Sequence, residues 1–287
     1  MSTAPQPEAG PSPAQILALE GLTRRFGGLT AVDRCSFTIE AGRITGLIGP
    51  NGAGKTTIFS MVAGALPPSA GRILFDGEDI TGLPTHRLFH RGIVRTFQIP
   101  HEFGRLTVLE NLMAVPAAQP GERLWPVWLA PGAVARRERE VRERAEDALR
   151  FLTLWDLRDE LAMNLSGGQK KLLELGRAMM TSPRLVLLDE PGAGVNPTLL
   201  VRLREMILEL NRERDYTFVI IEHDMDFIAS LCERVIVLSQ GAVLTDGPME
   251  QVRRDPRVLD AYLGGDEDEG HAGPEPAAGA DGGGDVP

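Results

Sequence analysis

Residues 49–57, Gly-Pro-Asn-Gly-Ala-Gly-Lys-Thr-Thr, have the types and spacing of a phosphate-binding loop, Gly-x4-Gly-Lys-Thr. Glycines let successive backbone N–H groups turn inward around phosphate oxygens, and a helix starting there adds the positive end of its dipole. Lys55 offers a mobile cation for the β- and γ-phosphates of a nucleotide, and Thr56 a hydroxyl for Mg2+. The remaining half of such a site is an acid leaving a buried strand, and residues 184–190, Arg-Leu-Val-Leu-Leu-Asp-Glu, fit that description. Asp189 at the strand's exit would hold Mg2+ through water. Glu190 would stand on the γ-phosphate side, where a carboxylate orients and deprotonates an attacking water.

Such residues need a frame that brings them together. Short apolar runs at 43–48, 185–188, 218–221 and 235–238 suit strands buried on both faces, as in a parallel sheet. Helical patterns follow Gly54 and Gly168 and cover 197–212 and 225–232. Strands alternating with helices of this length predict an α/β domain with a mainly parallel sheet. The stretches 18–26, 35–39 and 71–75 predict an antiparallel β region near the N-terminus. Residues about 104–180 differ in character and predict an inserted helical subdomain. Within it, 134–153 is a charged helix with a narrow apolar stripe at Val134, Val141, Ala145, Ala148 and Leu152. Its Glu–Arg pairs at 138/142, 140/144 and 146/150 have i,i+4 spacing.

The composition of the 287 residues, 43% hydrophobic and 24% charged, excludes wholesale disorder and a disulfide scaffold. Residues 1–15, with four prolines and no large apolar residue, read as a disordered leader, and 264–287 as a disordered acidic tail. The cassette between them is 16–263. Seven acids between Asp266 and Pro287 supply most of the formal charge of −10 and leave −3 for the rest, which argues against non-specific nucleic-acid binding. Cys35 and Cys232 have no metal-ligand spacing and read as buried thiols in a reducing cytosol. No stretch approaches the roughly 20 apolar residues of a membrane-spanning helix, and the first residues lack the basic start and apolar core of a signal peptide. The expectation is a soluble intracellular chain that a partner recruits to any membrane.

Leu165-Ser166-Gly167-Gly168-Gln169, together with the two motifs above, resembles the signature of ABC-type ATPases over about residues 16–263. The resemblance implies a P-loop NTPase core of ABC type, ATP and Mg2+ as ligands, and two cassettes facing head to tail. Gly49, Pro50, Asn51, Gly52, Ala53, Gly54, Lys55, Thr56 and Thr57 of one subunit would then share each ATP with Ser166, Gly167, Gly168 and Gln169 of the other. By the same resemblance Phe26 stacks on adenine. Gln98 contacts Mg2+ and the attacking water and moves with the membrane partner, and His223 touches the γ-phosphate. Thr56, Gln98 and Asp189 are the implied metal contacts, and Glu190, His223 and Gln98 the catalytic set. Asn196 stands where many relatives carry aspartate.

A finer likeness lies in FGGLTAVD (26–33), RTFQ (95–98), LTVLENL (106–112), AGVNP (193–197), IEHDM (221–225) and DPRVLDAYLG (255–264). These look like the ATPase subunits of branched-chain and hydrophobic amino acid importers. Urea and short-amide importers share much of the set, as does the ATPase that drives lipopolysaccharide export. The likeness implies membrane permease subunits and, indirectly, a periplasmic binding protein, with the ATPase at the cytoplasmic face of the inner membrane. ABC proteins of DNA repair, chromosome organisation or translation usually carry long coiled-coil inserts, zinc cysteines or tandem cassettes. This chain has one cassette, about 67 residues between Gln98 and Ser166, and no zinc motif.

Overall fold

The computed structural model describes residues 14–96, 102–116 and 131–263. Two sheets organise it. The first is antiparallel, in the order β2-β1-β4-β5, with β1 at Gln15–Phe26, β2 at Leu29–Glu40, β4 at Ala70–Phe75 and β5 at Glu78–Asp79. The second has the order β10-β9-β3-β8-β7-β6, from Ala242–Gly247, Arg234–Ser239, Ile44–Ile48, Thr217–Ile221, Leu185–Asp189 and Ile93–Arg95 respectively. All its pairings are parallel except β10 with β9. The strands β3, β7 and β8 are buried at every residue, which is why each reads as an unbroken apolar run.

The helices are α1 (Lys55–Val62), α2 (Thr85–His90), α3 (Val108–Met113), α4 (Pro131–Phe151), α5 (Gly167–Met179), α6 (Pro197–Arg214), α7 (Met225–Leu231), α8 (Met249–Val252) and α9 (Pro256–Leu263). Two apolar cores flank the parallel sheet. On one side Ile58, Phe59 and Val62 of α1 pack with Leu19, Leu22 and Ile39 of the antiparallel sheet and with Leu47 and Ile221. On the other, Leu112, Ala145, Leu172, Ile207 and Ile228, from α3, α4, α5, α6 and α7, meet Ile48, Val186 and Ile220. Each strand thus alternates its side chains between two dry layers, and its C-terminal end is left to carry polar loops.

The anticipated strands and helices form, with three differences. The antiparallel strands β1 and β2 are longer than expected because register shifts, including one between Leu19 and Leu22, keep them paired across irregular stretches. The edge strands β6 and β10 were not anticipated. β6 is three residues long, and β10 is mostly half-buried, so neither presents a continuous apolar run. In α4 and the residue after it the buried stripe is Val141, Ala145, Ala148, Leu149 and Leu152, but two of the three expected ion pairs do not form. Arg142 pairs forward with Glu146 at 3.0 Å, and Arg144 donates to the Met180 carbonyl at 3.0 Å beyond the end of α5. A capping role against the neighbouring helix outweighs a solvent-exposed i,i+4 pair worth only a few tenths of a kcal/mol. Glu146 and Arg150 do pair, at 3.4 Å.

Candidate functional site

The loop 49–54 joins β3 to α1 along a path that few residues other than glycine could follow. Gly49 has φ 150°, and a Cβ there would lie 2.2 Å from the Leu238 carbonyl oxygen. Gly54 has φ 99° and a Cβ would lie 2.6 Å from the Ala31 oxygen. Both positions combine a backbone conformation unfavourable to L-residues with a close neighbour. Pro50 and Ala53 lie between them, the Ala53 amide donating to the Pro50 carbonyl at 3.2 Å. Asn51 and Gly52 are exposed at the tip.

Lys55 opens α1 and folds back over the loop, its Nζ donating to the carbonyls of Gly49 at 2.7 Å and Pro50 at 2.9 Å. It is 7% exposed. Burial pushes the ammonium below the usual lysine value, while Glu190 and then Asp189 act to raise it. A polyanion beside it would favour the charged form still more. Thr56 is exposed and Thr57 half-buried on the first turn of α1.

The two acids at the end of β7 have different settings. Asp189 is the last residue of the strand and is buried, its Oδ2 accepting from Arg95 Nη2 at 2.8 Å. Glu190 turns out of the sheet in the left-handed region, φ 51°, with its amide bonded to the Ile221 carbonyl at 2.9 Å. That conformation is unfavourable for a non-glycine residue and is held by its surroundings. Glu190 Oε1 lies 2.8 Å from Nε2 of His223, which follows β8, so two neighbouring strand ends deliver the pair. The carboxylates converge near Lys55. Their hard oxygen donors, with the Thr56 hydroxyl, are of the kind that suits Mg2+. Among the described residues no cluster of three or more His, Cys, Asp or Glu side chains could hold a metal unaided.

Ser166 caps α5 in a reciprocal box, with its Oγ accepting from the Gln169 amide at 3.3 Å and Gln169 Oε1 accepting from the Ser166 amide at 2.8 Å. The two glycines of this segment differ. A Cβ at Gly168 would stand 2.5 Å from Leu199 Cδ2, whereas at Gly167 nothing among the described residues would meet it within 4 Å. Phe26 ends β1, is 44% exposed, and has the Arg24 guanidinium 4.6 Å from its ring centroid. Asn196 caps α6, accepting from the Leu199 amide at 2.9 Å. Gln98 lies outside the described residues.

Three residues of this region have no role assigned from the sequence, although Arg95 lies in RTFQ and Glu222 in IEHDM. Arg95 bridges Asp189 and, at 2.9 Å, the Ser60 hydroxyl of α1. Lys171 of α5 donates to the Glu190 carbonyl at 2.6 Å. Glu222 accepts from the amides of Gly192 and His223. Membership of those two segments is the signal that could have drawn attention to Arg95 and Glu222.

Known proteins place this geometry in a family. The ABC transporter family matches residues 32–193, and the branched-chain amino acid ATP-binding cassette transporter family matches 242–268. The chain is 41% identical over 249 residues to the high-affinity branched-chain amino acid transport ATP-binding protein BraF of Pseudomonas aeruginosa, covering 87% of this chain and 98% of that one. It is also 41% identical over 255 residues to a probable branched-chain amino acid transport ATP-binding protein, LivG, of Archaeoglobus fulgidus, covering 89% and 98%. The solved structure of a nucleotide-free ATP-binding cassette from an ABC transporter superposes with TM-score 0.75 at 37% identity, covering 87% of this chain and 99% of that one. A cassette in its ADP conformation gives the same score and identity over 88% and 99%. The chain belongs to the ATP-binding subunits of ABC transporters, and it is an ATPase of that family.

Proposed function

We propose that this chain is the ATP-hydrolysing subunit of an importer of branched-chain or other hydrophobic amino acids. The observation that carries the reading is 41% identity to a branched-chain amino acid transport ATP-binding protein over 98% of that protein's length. The match of residues 242–268 to the corresponding family supports it from the other end of the chain. Working partners are a second cassette, integral membrane permease subunits and, through them, a periplasmic substrate-binding protein. In this reading the site of work is the cytoplasmic face of the inner membrane, beside those permease subunits; no helix among the described residues is long and apolar enough to cross a bilayer.

In this reading the loop 49–57 holds the phosphates through its amides, Lys55 neutralises them, and Phe26 offers its exposed ring to adenine. Thr56, Asp189 and Gln98 are assigned to Mg2+, which supplies neutralisation of phosphate charge when bound. Glu190 takes the proton of the attacking water, and His223, already hydrogen-bonded to Glu190, orients that carboxylate and faces the γ-phosphate. Ser166, Gly167 and Gly168, at the start of α5 with Gln169 in its capping box, act on the neighbouring subunit's ATP with the positive end of the helix. The open space at Gly167 supports that assignment. Nothing among the described residues requires glycine there, which fits a requirement imposed by an approaching molecule. The γ-phosphate is the group lost on hydrolysis, so donors from the opposing subunit favour the closed pair with ATP and not with ADP.

The test is reconstitution of the chain with its permease subunits in vesicles, with binding protein and labelled leucine, urea or no substrate. ATP-driven uptake of leucine that is lost in Lys55→Ala supports the reading. Uptake of urea in place of leucine, or ATPase activity that no permease stimulates, would overturn the substrate or the transport assignment respectively.

A further inference from the structure

Asp189 and Glu222 are the two acidic side chains that are buried among the described residues. Asp189 has a place in the site already described. Glu222, 6% exposed, has none. Its Oε1 accepts from the Gly192 amide at 2.5 Å and its Oε2 from the His223 amide at 3.1 Å. Burial pushes its carboxyl above the ordinary glutamate value, opposed by those two amides and by Lys171. A buried carboxylate is costly to the fold even when hydrogen-bonded, so its benefit is to be sought in what it holds.

It holds the two segments that carry the catalytic pair. Gly192 lies in the loop leaving Glu190, where the Ala193 amide donates to the Glu190 carbonyl at 3.2 Å. A Cβ on Gly192 would stand 2.8 Å from Glu222 Oε1 and 3.0 Å from Leu200 Cδ1, so the contact depends on glycine. The Glu190 carbonyl also receives Lys171 Nζ at 2.6 Å. Lys171 lies one turn beyond Ser166, Gly167 and Gly168 on α5, and Glu222 is the acid that acts on it most strongly, ahead of Glu190 and Glu174. A chain of contacts therefore runs from the signature helix through Lys171 to the Glu190 backbone, and Glu222 ties that backbone to His223.

We infer that Glu222 is a positioning residue for hydrolysis, clamping the loop after Glu190 to the His223 backbone so that, through Lys171, displacement of the signature helix reaches the Glu190–His223 pair. The inference rests on the proposed roles of Glu190 and of the signature segment. A shift of α5 moves Lys171 and pulls on a Glu190 backbone already held at φ 51°. With the loop clamped, that pull reaches the Glu190 side chain. With the clamp lost, the loop yields and the two ATP sites of a pair stop influencing one another.

The experiment measures kcat, KM for ATP, nucleotide affinity and melting temperature on the full-length chain in its assembled transporter, with wild type and Glu190→Gln as references. In Glu222→Gln the single amide oxygen can accept from one N–H while the NH2 group faces the other donor. Gly192→Ala breaks the same contact from the opposite side and serves should the first variant fold poorly. Losing one hydrogen bond to a charged group predicts a kcat lower by about 10- to 100-fold in each, with KM and nucleotide affinity near wild type, a melting temperature lowered by a few degrees only, and sigmoidal ATP dependence flattened. Lys171→Met added to Glu222→Gln should lower kcat little further, because both act on one linkage. Three outcomes overturn the inference: wild-type kcat in Glu222→Gln, kcat and affinity lost together with melting temperature, or losses that multiply in the double variant. A wild-type rate in Glu190→Gln overturns the assignment of the base and the inference with it. That result is visible in the reference arm, apart from the Glu222 variants.

Discussion

Replacing Arg95 with methionine keeps an unbranched apolar stem and removes one half of a buried ion pair. Arg95 Nη2 and Asp189 Oδ2 are 2.8 Å apart, and the side chains are 11% and 3% exposed. Removing one partner of such a pair strands the other charge away from water and costs about 3–5 kcal/mol. Lys55, close enough for Asp189 to act on its ammonium, offsets part of that charge and puts the loss near the lower end, about 3 kcal/mol. For a domain of this size each kcal/mol moves the melting temperature by about 2–4 °C, so Arg95→Met should melt roughly 6–12 °C lower. Calorimetry on the nucleotide-free chain reads this directly. Asp189→Asn in the same background removes the stranded charge, so the double variant should recover at least half of the loss. A drop below 2 °C in the single variant, or a double variant as unstable as the two singles added together, would show that Asp189 is not left stranded by the loss of Arg95.

Three further predictions concern other parts of the molecule. Glu190→Gln should retain ATP binding and lower turnover by roughly 10²–10⁴, the usual worth of a positioned general base; unchanged turnover in the assembled transporter removes Glu190 from that role. Gly167→Ala should leave the melting temperature unchanged, since no atom of the described residues beyond its chain neighbours and its own helix backbone lies within 4 Å of the added Cβ, and yet weaken ATP-dependent pairing of cassettes; a destabilised monomer in thermal melts, or pairing of undiminished strength, would count against it. Burial holds the thiols of Cys35 and Cys232 up at about 12 instead of 9.0. The unfolded chain then loses these protons first, so their contribution to stability is intact below pH 9 and declines as pH rises from about 9 toward 12. Urea titrations of wild type and the Cys35→Ala/Cys232→Ala variant should diverge in slope only over that range, and parallel curves there would contradict the shift.

Sequence reveals most where chemistry fixes residue types at fixed spacing. The loop 49–57 was legible because Gly49 and Gly54 occupy backbone conformations that exclude other residues. The strands β3, β7 and β8 were legible because burial on both faces demands uninterrupted apolar runs. Contacts chosen by tertiary packing were not. Arg144 satisfies a carbonyl 36 residues away in preference to Glu140, and no i,i+4 rule contains that information. Arg95, Lys171 and Glu222 bond to groups 94, 19 and 30 residues distant, and the segments that contain them do not name those partners. The burial that gives them importance is a property of the assembled sheet ends. The pairing of His223 with Glu190 is intermediate. Each residue is marked by its own strand, but their 2.8 Å contact follows only from β7 and β8 being neighbours.

In the reading proposed above, one ATP is shared between the phosphate loop of one cassette and the signature segment of another. Covalently linked pairs that join a Lys55→Ala subunit to a Ser166→Arg subunit test it. If the sites are shared, one site carries both lesions and the other carries neither. If loop and signature serve the same chain's ATP, each site carries one lesion. The measurement is the number of non-hydrolysable ATP analogues occluded per linked pair in the presence of the membrane partner, beside linked pairs of each single variant. The shared site predicts one occluded nucleotide in the mixed pair and none in either matched pair. No occlusion in the mixed pair, where the wild-type linked pair retains two, would contradict it.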